Sequence, residues 1–138
     1  MRIAPSRWIR AFLFGILAEV ATVLSIIATV MTYKYLKSGA LTANEYSAFT
    51  QQAGATIGLT LGTIFVFVLA WPVVRSVSRH KMLHGLTVAA GAIALMLSGS
   101  VIGHGSLPRA YLLAIALKIL AGTGAGWLAW RVPLRIAA

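Results

Sequence analysis

Acidic residues are nearly absent from this sequence. Its 138 residues contain two carboxylate side chains, Glu19 and Glu45, against 12 lysines and arginines. Acid–base chemistry by paired carboxylates therefore has almost no material to work with. Cysteine is missing altogether, which excludes disulfides and thiolate metal sites. Charge of either sign is scarce, at 10% of residues, where a soluble domain carries roughly a quarter. What fills the space is hydrophobic: 59% of the chain, with a mean hydropathy of +0.88. Such a chain belongs mostly in hydrocarbon. The net charge of +10 does not point to nucleic acid, because the basic residues lie scattered at the ends of apolar runs and form no helix face or patch. Charges so placed orient membrane helices and meet anionic lipid headgroups. No enzyme motif and no cofactor fingerprint is present.

Four apolar segments approach or exceed the roughly 20 residues that span a bilayer, at about 11–33, 54–74, 83–102 and 110–130. The first follows a basic stretch (Arg2, Arg7, Arg10), but it is too long for the h-region of a signal peptide and contains Glu19, so it reads as a retained span. Barrel strands would alternate polar and apolar residues; these runs do not, so the spans are helices. Thr42 and Glu45 have capping-box spacing, with Leu41 and Tyr46 placed as a hydrophobic staple. A helix is expected to start there and run unbroken into the second span, with residues 43–53 projecting about 15 Å beyond the membrane. Pro72 should bend or end it. The turn at Gly103–Pro108 and Pro133 punctuate the later helices.

Short connections predict one all-α domain, 1–138: an integral membrane four-helix up-down bundle with its first and last helices adjacent. Arg2, Arg7, Arg10, Arg75, Arg79, Lys81, Arg131 and Arg135 fall on one side; Lys34, Lys37 and Arg109 fall on the other. This bias predicts both termini in the cytoplasm of a cell with a bacterial-type inner (plasma) membrane, the basic side facing anionic headgroups. The aromatic residues agree: Trp8, Trp71, Trp127 and Trp130 fall at the basic interface, and Tyr33, Tyr35, Tyr46 and Tyr111 at or above the other.

Helices in lipid associate through small residues. Gly54, Gly58 and Gly62, then Gly99 and Gly103, then Gly122 and Gly126 recur at four-residue spacing, which suits packing within the bundle or against a second copy. Two charges interrupt the apolar runs. Glu19 shares a small, mildly polar stripe with Gly15, Ala18, Thr22, Ser25 and Thr29; Lys118 shares one with Ala114, Ala121, Gly122 and Ala125. Gly15, Thr22, Ser25, Ala114 and Gly122 are therefore the residues expected to line whatever these charges face. From the basic surface Glu19 lies about 12 Å deep and Lys118 about 18 Å, a difference that a lysine side chain can reach across. Buried charges in membranes face the bundle interior or a water-filled cavity and mark functional sites by default. Two roles follow: a neutralising Glu19–Lys118 brace in a structural or accessory subunit, or a carboxylate for proton or cation transport in a small oligomeric transporter or channel.

The run Ile16-Leu17-Ala18-Glu19-Val20 resembles the first helix of the small multidrug resistance transporters. That resemblance implies four helices and a glutamate that binds protons and cationic drugs. It covers five residues. The long first connection, Lys118 and the charge bias depart from the family pattern, and no residue role is carried over. His80 and His84 lie one turn apart, a spacing that can hold a metal, but no carboxylate or cysteine stands near to complete the site. His84 and His104 lie at opposite ends of the third span, too far apart to share a haem. No metal or cofactor is expected.

Overall fold

The computed structural model describes residues 5–37, 42–104 and 109–132. Leu41, residues 105–108 of the expected Gly103–Pro108 turn, Pro133, Arg2 and Arg135 lie outside them. Four helices fill the described chain: α1 (Pro5–Leu36), α2 (Ala43–Arg75), α3 (Lys81–His104) and α4 (Arg109–Arg131). Each contains a stretch long and apolar enough to cross a membrane. The protein is an all-helical, multi-pass membrane protein.

Its interior is made of small residues. Ala18, Val66, Ala70, Val74, Val88, Ala89, Ala92 and Ala125 are fully buried, while Leu13, Leu24, Leu112 and Leu120 point outward at more than half exposure. A soluble bundle would bury the leucines. In hydrocarbon they gain nothing from hiding, and backbones that approach closely gain packing instead.

The expected capping box opens α2. Thr42 accepts from the Glu45 N–H at 3.3 Å, and the Glu45 carboxylate accepts from the Thr42 N–H at 2.8 Å. The carboxylate also accepts from the Thr42 hydroxyl at 2.8 Å, and the two bonds it accepts, the backbone one first, hold it below its ordinary value of 4.5. From there α2 runs 33 residues without a break. Pro72 does not end it. The helix continues for one more turn, and the Ser76 N–H closes it by donating to the carbonyls of Pro72 and Val73.

The extension at 43–53 does not project alone. α1 rises beside it, and the two lock where Tyr33 stacks on Phe49 with ring centres 3.7 Å apart and Lys34 sits 5.8 Å above the Tyr46 ring. At 32 and 33 residues, α1 and α2 are about 50 Å long; α3 and α4, at 24 and 23 residues, are about 35 Å. One end of the bundle is thus a two-helix hairpin.

The helix arrangement departs from the expected one. Among the described residues α1 and α4 do not approach each other at backbone level; each packs on both α2 and α3, and α2 also meets α3. The first and last helices are therefore diagonal partners, not neighbours. Glycine explains why. At Gly15 the α1 backbone lies directly on Val88 and Ala92 of α3, and Gly91 returns the contact against Phe12. On another face of α3, Gly85 meets Gly122 of α4, and Gly126 lies on Met82. A methyl group at any of these glycines would strike a neighbouring backbone. With close crossings on two faces, α3 draws α1 and α4 onto itself and leaves them apart. Gly85 and Gly91 were not among the expected packing glycines, whereas Gly54, Gly58 and Gly99 face open space.

Candidate functional site: an ion pair through the bundle

Glu19 and Lys118 meet. The Lys118 ammonium donates to Glu19 Oε2, although their helices are diagonal. The pair therefore crosses the middle of the bundle, between α2 and α3. Both side chains are buried, Lys118 at 1% and Glu19 at 6% exposure. The two side chains bridge the gap themselves, because the α1 and α4 backbones stay apart.

The elements on either side shape the crossing. On the α3 side, the Met96 sulfur lies 3.4 Å from Lys118 Nζ and gives the ammonium a soft second acceptor. On the α2 side stands Gly62. A methyl there would come within 3.4 Å of Lys118 Cε and 3.3 Å of the Thr22 methyl, so a side chain at this point would press on both. Met96 and Gly62 were not singled out by sequence reasoning as parts of this site. Gly62 had a signal: it lies nine residues before Trp71, about 14 Å from the basic interface, which is close to the depth of Glu19. Met96 had none, since a methionine in an apolar run looks like any other filler.

The five expected lining residues divide. Thr22 is buried, and it and Lys118 both pack where a side chain at Gly62 would stand. Its hydroxyl donates to the Ala18 carbonyl at 2.9 Å; Ser25 and Thr29 repeat that bond one and two turns on. The polar stripe of α1 thus spends its protons on its own helix. Gly15 and Gly122 serve the crossings with α3. Ala114 is buried.

A second polar centre lies at the basic end. His84 is 5% exposed, and its ring stacks on Trp8 with centres 4.1 Å apart. Its Nδ1 lies 3.1 Å from the carbonyl oxygen of His80, a residue whose φ of 57° is rare outside glycine. With Nδ1 donating there, Nε2 is a bare acceptor, buried and without a partner among the described residues. His80 is exposed, whereas His84 is buried. Around this end Arg75 stacks on Trp71 at 5.1 Å, Arg131 on Trp127 at 4.8 Å, and Lys81 donates to the Ala129 carbonyl at 3.0 Å, closing the last turn of α4.

Two recesses open at the same end. One, of about 300 Å³, is lined by Arg75, Ser76, Val77, Ser78, Lys81, Ala129 and Val132. The other, of about 220 Å³, is lined by Arg7, Arg10, Phe14, Pro72, Val73, Ser76 and Val77. Neither reaches Glu19 or Lys118.

Compared with known proteins, the chain matches no family model, no curated relative and no solved structure. The likeness to the small multidrug resistance transporters accordingly rests on the five residues around Glu19.

Proposed function

We propose that this protein is a structural or accessory subunit of a membrane assembly, with the Glu19–Lys118 pair as its internal brace. The single observation that carries this reading is the closed state of the pair. Each charge neutralises the other at the bundle centre, Met96 and Gly62 fit around them, and neither recess leads to them. A transport carboxylate must be reached by its proton or cation from both sides in turn. Here the place of a cationic substrate is taken by a lysine of the same chain.

The helices run alternately up and down in this reading. It is supported by the contacts of Tyr33 with Phe49, Gly15 with Val88 and Gly85 with Gly122. The excess of arginine and lysine at the end bearing Arg7, Arg10, Arg75, Arg79 and Lys81 supports a reading with both termini on the cytoplasmic side of a bacterial-type inner membrane. Labelling of a cysteine placed at Ser38 tests that orientation; reaction from the cytoplasmic side would reverse it. The open faces of Gly54 and Gly58 on α2 are where a partner helix, foreign or a second copy, would dock most closely.

The decisive experiment compares Glu19→Gln, Lys118→Met and the double variant. A brace requires each single change to destabilise and the double change to restore the fold, because an unpaired buried charge costs more than the pair returns. A well-folded Glu19→Gln protein that has lost a proton-dependent flux would instead establish the transporter reading.

A further inference from the structure

The chain cannot neutralise its own basic end. Its carboxylate side chains number two: Glu19 is taken by Lys118 at the bundle centre, and Glu45 by the capping box at the hairpin end. Several of the cations at the basic end nevertheless have internal partners. Arg75 and Arg131 lie on tryptophan rings, and Lys81 caps α4. Arg7 and Arg10 have neither aromatic face nor acceptor among the described residues. They stand one helical turn apart on α1, exposed, and both line the 220 Å³ recess.

Apart from Ser76, the rest of that recess is lined by apolar residues. Phe14 lies one turn further into the membrane, about 6 Å below Arg10, and Pro72 and Val73 of α2 form the facing wall. Ser76 adds a rim whose hydroxyl donates to the Val73 carbonyl at 2.7 Å. Positive charge at the interface thus stands directly above an apolar trough. The volume is below the roughly 300–1,000 Å³ of sites that enclose a whole small molecule. It suits a group that is anionic at one end and continues as hydrocarbon at the other.

We infer that the recess between α1 and α2 binds one anionic phospholipid, its phosphodiester held by Arg7 and Arg10 and its glycerol and upper acyl chain lying over Phe14, Pro72 and Val73. Two guanidinium forks one turn apart match phosphate oxygens geometrically, which a diffuse cloud of lysines does not. The site rests on the membrane-spanning character of the four helices and is independent of the Glu19–Lys118 brace. Failure of one leaves the other standing.

Native mass spectrometry of the full chain in mild detergent tests it. Phosphatidylglycerol, phosphatidylcholine or inorganic phosphate is titrated into wild type, Arg7→Gln/Arg10→Gln and Arg79→Gln. Arg79 is an exposed arginine at the same end that lines neither recess. Phosphatidylglycerol should bind wild type and Arg79→Gln alike as a single tight adduct, and the double variant about 25-fold more weakly, at about fivefold for each cation removed. Thermal melts of the delipidated proteins should coincide, since both arginines are exposed. Equal binding of phosphatidylcholine, equal retention by the double variant, or equal weakening in Arg79→Gln would each overturn the site in favour of diffuse attraction. Displacement of the lipid by inorganic phosphate at matching concentration would assign the arginines to free phosphate and overturn the lipid reading.

Discussion

Lys118 and His84 are buried to nearly the same degree, at 1% and 5% exposure, yet their polar atoms end differently. Lys118 finds a carboxylate and a sulfur; His84 keeps a nitrogen with no partner among the described residues. The contrast follows from what each can become. An ammonium in hydrocarbon cannot lie unpaired without a large penalty, so the bundle supplies Glu19 from its far corner. An imidazole is neutral with one proton, can direct that proton to the His80 carbonyl, and loses only one hydrogen bond at its other nitrogen. Charge forces a partner across the diagonal of the fold; a ring stacked on Trp8 with one nitrogen already bonded does not.

The largest effect should come from breaking the charged side of this comparison. Glu19→Gln leaves Lys118 buried and unpaired and should cost about 3–5 kcal/mol, read as a drop in thermal stability in detergent, with most of it recovered in Glu19→Gln/Lys118→Met. Recovery that fails would mean that Glu19 does something besides neutralise Lys118. Next in size are the glycine crossings that set the diagonal. Gly122→Ala places a methyl against the Gly85 backbone and should cost about 1–3 kcal/mol, whereas Gly58→Ala enters open space and should leave stability unchanged or raised. Equal effects at the two glycines would show that α3 and α4 do not meet closely there.

His84→Phe sharpens the neutral side. The stack on Trp8 survives, the Nδ1 bond is lost at roughly 0.5–1.5 kcal/mol, and the unpartnered Nε2 disappears with a similar relief, so stability should stay within about 1 kcal/mol of wild type. A loss as large as that of Glu19→Gln would reveal a partner for Nε2. The smallest effect lies at the hairpin end. Glu45 is held below its ordinary value of 4.5 by the Thr42 bonds. A depressed carboxyl stabilises the fold above its unfolded value, and that stabilisation fades as pH falls through the folded value. Amide protection factors of residues 43–50, relative to intrinsic exchange at each pH, should therefore fall below about pH 4.5, and the same loss of protection should appear at neutral pH in Thr42→Ala.

Much of the site was legible because it is made of exceptions. Glu19 and Lys118 stand out in apolar runs, and their helical stripes and depths brought them together on paper. The route between them was not legible. Up-down connectivity favours neighbouring first and last helices, and nothing in the spacing of α1 and α4 says otherwise. The order was decided by α3, where Gly85 and Gly91 lie six residues apart and point to different faces. A four-residue repeat finds one packing stripe; it does not find two glycines that serve different partners.

Sequence alone determined that four helices are long and apolar enough to cross a membrane, where α2 is capped, and that two charges interrupt apolar runs. Those properties follow from local composition: hydropathy over 20 residues, the reach of Glu45 back to Thr42, and the rarity of charge in an apolar run. Tertiary structure alone decided that the pair passes diagonally between Gly62 and Met96, that α1 supports the α2 extension through Tyr33 and Phe49, and that Arg7 and Arg10 stand above an apolar trough. Each of these depends on which backbones approach closely enough to touch. That approach is set by glycines whose partners lie on other helices, and no local pattern names them.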